Sequence, residues 1–597
     1  MVVLKTVDLV IIFGFFAFAL AIGLWASRKS GQDSSEYFLS GRTMPWWLLG
    51  FSMVATTFST DTPNLVTDIV RTNGVAGNWC WWAFLLTGML TVFVYAKLWR
   101  RINVLTDLEF YEIRYSGSMA AFLRGFRAVY LGVFFNIAIM ATVSLAAIKI
   151  GGIMLGLSPV HCVVWASLVT VIFSSMGGFR GVLLTDFVLF IIAMIGAIGA
   201  AVVSLSHEKV GGLSGLMAHF NATPELTSKL AIFPSLDNWD FFATFLLIPI
   251  LVQWWSVWYP GAEPGGGGYL VQRMLAAKNE KHATAATLFF NVAHYALRPW
   301  PWIIVALASM IVFPDLASIR SAFPNADPGI IKNDAAYSAM LTFLPAGLLG
   351  LVLTSLIAAY MSTISTHLNW GSSYIVNDIW KRFVKKDATE KELVWIGRMS
   401  TVILMVVAGV IALFLKNALQ AFEILLQIGA GTGLLFILRW FWWRINAVSE
   451  LTAMVVSFIV AVIMKMTPLG AKFTSSQQLI YGVAITTVCW VLATLLSKPD
   501  SKETLRNFCK VANPGGPGWK MVYEEAEQEG TPIKSEYKAE SISLGIICMI
   551  LGCLTVYSAL FSTGYFLYGR TGLAVLMAVI SVAGMTALLK LWDRVNA

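Results

Sequence analysis

Charged residues are scarce in this chain, and that scarcity excludes an ordinary soluble domain. Only 13% of the 597 residues are charged, whereas 57% are hydrophobic. A typical soluble domain has about 25% charged residues. Apolar runs of about 20 residues recur from one end of the chain to the other, and this length crosses a bilayer as a helix. The sequence therefore predicts an all-α polytopic membrane protein.

Cysteine and histidine are also rare, and neither forms a recognisable metal or catalytic motif. The six cysteines show no Cys-x-x-Cys spacing, which argues against a zinc site or a disulfide framework. A His-rich metal motif and a Gly-x-Ser-x-Gly element are both missing, so an enzyme is not indicated. The net charge of +9 comes from Lys and Arg clustered in alternate loops, which is a topology signal rather than a nucleic-acid surface.

About fifteen apolar segments are long enough to span a membrane. The loops after the odd-numbered segments contain the dense basic clusters, and residues 381–398 form the most basic short loop. By the positive-inside rule these loops face the cytoplasm. We therefore expect a multi-pass protein of a cell membrane (plasma or inner) with its N-terminus outside and its C-terminus cytoplasmic. Residues 7–26 lack a basic start and a cleavage site, which favours a span over a signal peptide.

Two of the segments are interrupted by residues that break helices. In the first, Asp61 and Pro63 lie in the polar patch 58–64, where proline removes a backbone donor. The second is interrupted at 259–269 by two prolines and four consecutive glycines. No Gly-Lys-Ser/Thr follows these glycines, which argues against a phosphate-binding loop. Broken helices in corresponding places of two inverted units are typical of the binding site of a secondary transporter.

This pattern predicts a five-plus-five inverted repeat with extra flanking helices. Five spans that begin with a broken helix precede another five that begin with one, and an odd number per unit inverts the second unit. The predicted divisions are an N-terminal span and cytoplasmic loop at 1–44, a first repeat at 45–205, an extracellular loop at 206–240, a second repeat at 241–443, extra spans at 444–497, a cytoplasmic loop at 498–540 and C-terminal spans at 541–597.

Ionisable residues at bilayer depth are costly and are therefore candidates for function. The candidates are Asp61, Asp68, Asp186, Arg298 and Glu423. Asp186 and Glu423 lie close to segment ends, so an interfacial position is the alternative for both.

The stretch 358–366 places small and hydroxyl side chains inside an apolar segment. On a helix, Ala359, Ser362, Thr363 and Thr366 fall at i, i+3, i+4 and i+7, which is one narrow face. Such a face suits close helix packing. Its oxygens equally suit a small hard cation. The pattern alone does not distinguish helix packing from cation binding.

Four motifs occur in order along residues 7–440. They are residues 50–58, Gly177-Gly178-Phe179 followed by Thr185-Asp186, Val271-Gln272-Arg273 with residues 275–278, and residues 350–378. Through these motifs the chain resembles the sodium:solute symporter family, which includes sodium/glucose, sodium/proline and sodium/sialic acid carriers. The resemblance implies a LeuT-like five-plus-five fold and a transporter that uses Na⁺ as its coupling ion.

The resemblance also implies a set of sodium ligands. The main site would use the carbonyls of Ala55, Phe58 and Ala359 and the hydroxyls of Ser362 and Thr363. Some members hold a second sodium at the aspartate that matches Asp186. The family often has glutamine a few residues later, and Leu189 stands near that place here. The alternative role for Asp186 is an ion pair with a nearby arginine such as Arg180.

The candidate solute-binding residues are polar and aromatic side chains near the two breaks and in the helices that follow. They are Asp61, Thr62, Asn64, Asn78, Trp82, Gln253, Trp254, Glu263, Arg298 and Gln427. Aromatic walls with a few hydrogen-bonding groups suit a sugar or another polyhydroxyl solute. Tryptophans near span ends could equally form an interfacial belt. The acidic ligand of the sugar carriers falls near Trp81, which is a departure from the family pattern.

Two roles are open for Arg298 as a buried cation. It could pair with the carboxylate of a substrate, or internally with Asp61 or Glu263.

The predicted function is sodium-coupled symport of a small polar organic solute by alternating access, with a sugar or polyol favoured. The alternatives are a sodium-coupled carrier of a carboxylate or amino acid, a proton-coupled carrier that uses Asp61 or Asp186, and a membrane sensor with a carrier fold. The expected partners are the solute and the lipid bilayer. Neither a nucleic acid nor an obligate protein partner is indicated.

Overall fold

The computed structural model describes residues 4–30, 34–256, 263–324, 329, 331–415 and 425–595. Regular structure in these residues is helical, apart from an isolated parallel bridge between Met44 and Ala277. Among the described helices, 11 are long and apolar enough to cross a membrane. Three shorter apolar helices accompany them, at Trp46–Thr56, Pro159–Ile172 and Trp239–Leu251. The chain is therefore an all-α, multi-pass membrane protein.

The principal helices are numbered here in chain order. They are α1 Thr6–Ser30, α2 Trp46–Thr56, α3 Asp61–Asn73, α4 Val75–Ile102, α5 Gly117–Leu155, α6 Pro159–Ser206, α7 Trp239–Leu251, α8 Gly268–Ala276, α9 Glu280–Val312, α10 Leu348–Val384, α11 Glu390–Ala412, α12 Gly433–Leu438, α13 Ala447–Met466, α14 Ser475–Leu496, α15 Lys502–Ala512, α16 Lys520–Gln528, α17 Ile542–Leu567 and α18 Thr571–Val595.

The first predicted break is confirmed. Helix α2 ends at Thr56 and α3 begins at Asp61, which leaves residues 57–60 outside both helices. Pro63 lies in the first turn of α3, where no backbone donor is needed for the helix. The interruption therefore precedes the proline, which lies in the first turn of the second half-helix.

The second break begins earlier than the glycine run. Helix α7 ends at Leu251 and a 3₁₀ turn follows at Gln253–Trp255. The chain becomes α-helical again at Gly268. Residues 257–262, which include part of the predicted interruption at 259–269, lie outside the described residues.

The glycine end of this break is attached to the neighbouring helices. Trp99 Nε1 donates to the Gly265 carbonyl at 2.7 Å, and the Gly268 N–H donates to Asp107 Oδ2 at 2.8 Å. The bridge from Met44 to Ala277 then connects the start of α2 with the end of α8. The two interrupted helices are thus joined directly by backbone hydrogen bonds.

Helix α6 contains a sharp change of direction at Gly178, whose φ is 54° and ψ is −162°. This backbone conformation is accessible to glycine and strongly disfavoured for other residues. The bend separates the two spans that the sequence places before and after residues 177–181.

Helix α10 is buried along almost all of its length. It packs against α2, α5, α6 and α11. Its position in the middle of the protein brings the hydroxyl stretch 358–366 against the first break.

Candidate functional site

The five residues predicted to bind sodium lie on the two elements that meet at the first break. Thr363 Oγ1 donates a hydrogen bond to the Thr56 carbonyl at 2.9 Å, which fixes α10 against the end of α2. Ala55, Phe58, Ala359, Ser362 and Thr363 are all buried. The end of a helix leaves carbonyl oxygens without intrahelical partners. Carbonyl and hydroxyl oxygens are ligands that suit a small hard cation, so this set of donors fits sodium.

Asp186 lies beside this junction and contacts Ser362 directly. Ser362 Oγ donates to Asp186 Oδ1 at 2.5 Å, and Ser52 Oγ donates to Oδ2. The charged neighbour is Arg273, whose Nη2 lies 3.7 Å from Oδ2. Arg180, the partner suggested by sequence, lies instead over the ring of Trp25. The alternative of an Arg180 ion pair is therefore wrong: Arg180 and Asp186 follow the bend on the same half of α6, and residues six apart on one helix point in different directions. A second sodium at Asp186 stays a prediction.

A cavity of about 90 Å³ lies next to the sodium-binding candidates. The polar and aromatic residues that line it include Thr56, Asp61, Thr62, Trp81, His294 and Arg298. Asp61, Thr62 and Arg298 are among the residues that the sequence predicts for the solute site, whereas Trp81 and His294 are additional. We call this space the central cavity. Thr56 connects the two sites, because it is one of the residues that line this cavity and its carbonyl accepts the hydrogen bond from Thr363.

Arg298 is held by the backbone of the first break. Its guanidinium donates to the Val54 carbonyl at 2.8 Å and the Thr57 carbonyl at 3.2 Å. It also donates to His294 Nδ1 at 2.5 Å. Within the described residues neither Asp61 nor Glu263 forms an ion pair with Arg298, so the internal pairing suggested by sequence is wrong. The break exposes two carbonyls, and these accept the guanidinium instead.

Asp61 keeps hydrogen-bonding capacity in the central cavity. Its Oδ1 has no hydrogen-bond partner among the residues that the structure describes. Trp81 and His294 form an edge-to-face pair with ring centroids 5.7 Å apart. The cavity therefore combines an acceptor, an aromatic wall and a histidine oriented by Arg298.

Four of the other candidates do not line the central cavity. Asn78 donates to Val75 and accepts from Trp81 within its own turn. Trp82 is fully buried against neighbouring rings, and the Trp254 carbonyl accepts from Thr87. Asn64 is buried on α3 and does not line the central cavity. In α4, Trp81 rather than Trp82 faces the cavity because adjacent residues on a helix point in different directions.

Gln253 and Gln427 lie together in a different cavity of about 340 Å³, with Asp68. Gln253 Nε2 donates to the Cys80 carbonyl at 2.6 Å, and Gln427 Nε2 donates to the Gln478 carbonyl at 2.7 Å. We call this space the second cavity. Five of the ten solute-binding candidates thus line one or other of these two cavities: Asp61, Thr62 and Arg298 the central one, and Gln253 and Gln427 the second.

Glu263 belongs to a buried ion-pair network. Its carboxylate pairs with Arg127 and, at 3.2 Å, with Arg439. Arg439 in turn lies 3.4 Å from Glu450. Among the ionisable candidates, Glu423 lies outside the described residues.

Comparison with known proteins gives consistent results at the level of family and fold. A model of the sodium:solute symporter family matches residues 37–508. A sodium/glucose cotransporter of Vibrio parahaemolyticus is 25% identical over 522 residues, which cover 84% of this chain and 92% of that protein. A sodium/myo-inositol cotransporter 2 of Oryctolagus cuniculus is 28% identical over 470 residues, covering 74% of this chain and 67% of that protein.

A solved structure has the same fold over most of the chain. It is the substrate-bound, outward-open state of a Na⁺-coupled sialic acid symporter, with a TM-score of 0.64 and 20% sequence identity. The match covers 83% of this chain and 99% of that one.

Proposed function

This chain belongs to the sodium:solute symporter family, and on that premise we propose that it imports a small polar organic solute together with sodium. A sugar or polyol is the favoured solute. The observation that carries this proposal is the shared position of Thr56, which lines the central cavity and accepts a hydrogen bond from Thr363. Binding of an ion at this junction and of a solute in the cavity would therefore affect the same turn of backbone.

The sodium ion would be held by the carbonyls and hydroxyls at the junction. These ligands are Ala55, Phe58, Ala359, Ser362 and Thr363. Sodium would bind most tightly when α10 and the first break are close together, and it would be released when they separate. Coupling then follows because the ion and the solute both favour the state in which the junction is assembled.

The architecture supports transport by alternating access. We take the first and second breaks as the starts of two inverted five-helix repeats, within about fifteen spans in total. The N-terminus would lie outside the cell and the C-terminus in the cytoplasm. Opening would move the broken helices relative to α5 and α10.

The central cavity supports a polyhydroxyl solute. Asp61 offers an acceptor for hydroxyl groups, and the Trp81 ring offers a flat apolar wall. The relatives described as sodium/glucose and sodium/myo-inositol cotransporters carry solutes of this class. Arg298 supports the alternative of a carboxylate or amino acid, since no carboxylate among the described residues lies within ion-pair distance of it.

Uptake into proteoliposomes tests the proposal. Labelled sugars, polyols, carboxylates and amino acids would be offered under an inward sodium gradient, and separately under a proton gradient at equal sodium on both sides. We expect accumulation of one solute class with the sodium gradient only. Uptake that persists without sodium would contradict the proposal, and binding without uptake would favour a sensor.

A further inference from the structure

Asp186 is enclosed by hydroxyl groups and one guanidinium. Its two carboxylate oxygens accept hydrogen bonds from Ser362 and Ser52, and Arg273 Nη2 lies 3.7 Å from Oδ2. The side chains of Asp186 and Arg273 are 1% and 0% exposed. A carboxylate buried at membrane depth needs a positive charge close to it. Among the described residues, Arg273 supplies this positive charge.

Arg273 reaches Asp186 from α8, the helix that follows the second break. Its Nη2 donates to Thr366 Oγ1 at 2.8 Å, to Ser52 Oγ at 2.9 Å and to Thr56 Oγ1 at 3.4 Å. These hydroxyl oxygens are the ones that a cation beside Asp186 would use as ligands. Because a guanidinium keeps its charge at physiological pH, Arg273 brings a positive charge to these oxygens whatever the protonation state of its neighbours.

We infer that Arg273 takes the place of a second sodium ion, so that one sodium ion accompanies each solute molecule. The inference rests on the proposed sodium symport and specifies its stoichiometry. A guanidinium and a sodium ion that share the same hydroxyl groups would repel each other strongly in this low-dielectric surrounding. The carboxylate is already balanced by Arg273, so a second ion has no charge to neutralise.

Ser362 connects this ion pair with the main sodium site. Its hydroxyl proton points to Asp186, which leaves the oxygen lone pairs available to an ion at the junction. Arg273 therefore acts as a positioning residue: it balances Asp186 and, through it, orients Ser362. Since Arg273 is carried by α8, the pair also attaches the sodium-binding elements to the second interrupted helix.

The experiment measures solute accumulation at zero net flux in proteoliposomes held at zero membrane potential. With one sodium per solute, a tenfold sodium gradient supports about tenfold accumulation, and with two it supports about hundredfold. We expect about tenfold for the wild-type protein. R273Q keeps an amide donor but removes the charge, which leaves Asp186 and its hydroxyls to bind a second sodium, so accumulation rises to about hundredfold.

Three variants serve as controls. R273K retains the positive charge, and D186N/R273Q removes both charges, so both should remain at about tenfold. R71Q removes a guanidinium that donates to Ser309 and the Phe313 carbonyl, away from the junction, and should leave the stoichiometry unchanged. A merely structural defect would lower the rate of uptake without changing the accumulation ratio.

Two results would overturn the inference. They are about hundredfold accumulation by the wild-type protein, and a ratio for R273Q equal to that of the wild type. The accumulation ratio of the wild-type protein tests the inference by itself, even if R273Q does not fold. Accumulation independent of sodium would instead contradict the proposed function itself.

Discussion

At the residue scale, the hydroxyls of Ser362 and Thr363 separate a sodium site from simple helix packing. Changing both to alanine removes two of the proposed ligands while keeping the helix intact. We expect the sodium concentration for half-maximal uptake to rise on the order of 10-fold or more, as the loss of one or two polar ligand contacts would produce. Uptake rates measured over a range of sodium concentrations give this half-maximal concentration.

Ser365 provides the matched control on the same helix. It is buried and its hydroxyl donates to the Ser362 carbonyl at 3.1 Å, but it is not a proposed ligand. S365A should therefore leave the sodium dependence nearly unchanged. If the double alanine variant also showed wild-type sodium dependence, the hydroxyl face would serve packing alone.

Asp61 is the residue through which solute recognition can be tested. D61N replaces a carboxylate acceptor in the central cavity with an amide of the same size. We expect KM for the solute to rise on the order of 10- to 100-fold, because hydrogen bonds to charged groups contribute about 1.5–3 kcal/mol. Uptake as a function of solute concentration, at saturating sodium, gives KM.

D68N is the control for this change, since Asp68 lines the second cavity. It should alter KM much less than D61N does. Equal KM values for D61N and the wild type would remove Asp61 from the solute site.

The sequence was informative about single residues when a local pattern carried the signal. The hydroxyl face of α10 and the polar patch around Asp61 could both be found from spacing. Arg273 could not be selected as the partner of Asp186, because that contact depends on how α8 packs against α6 across a long separation in the chain. His294 was missed for a similar reason: its ring is oriented by Arg298, four residues later, against the first break.

At the scale of single elements, Gly178 determines the bend in α6. Its φ of 54° with ψ of −162° is a conformation that a Cβ atom makes unfavourable. G178A should therefore destabilise the protein by about 1–3 kcal/mol. The thermal unfolding of the purified protein in detergent would measure this as a lower Tm.

The control for the bend is Gly14 in α1, where an added Cβ would meet no atom within 4 Å. G14A should leave Tm unchanged or raise it slightly, since alanine favours the helix more than glycine does. A Tm for G178A equal to that of G14A would show that α6 can bend without a glycine.

Helix interruptions could be predicted more reliably than helix lengths. Proline and glycine mark the two breaks directly, and the first break lies within a few residues of the expected place. The start of α5 at Gly117, well before the apolar run from residue 128, could not be expected from hydropathy. Its first turns are amphipathic and bury only one face, with Leu123 and Arg127 inside.

At the scale of the whole molecule, the network around Glu263 joins parts of the chain that are far apart in sequence. Glu263 lies within the second break, Arg127 lies on α5, and Arg439 and Glu450 lie at and after the end of the predicted second repeat. E263Q would leave the buried guanidinium groups of Arg127 and Arg439 to share Glu450 as their remaining carboxylate partner in this network. Breaking a buried ion pair in this way costs about 3–5 kcal/mol, so we expect a clearly lower Tm.

E529Q is the comparison for this prediction. Glu529 forms exposed ion pairs with Lys502 and Arg506, and exposed pairs contribute about 0–1 kcal/mol. Its Tm should remain close to that of the wild type. A loss of stability in E263Q no larger than in E529Q would show that the network contributes little to holding these elements together.

The position of Leu425 and Leu426 has an electrical consequence. Leu425 lines the central cavity and Leu426 lines the second cavity, so this helical segment forms part of the wall between the two spaces. This wall must insulate the membrane, because a continuous file of water through it would let ions cross without solute. Shortening both leucines to alanine should therefore produce a leak current that flows in the absence of solute, which voltage-clamp recording would detect.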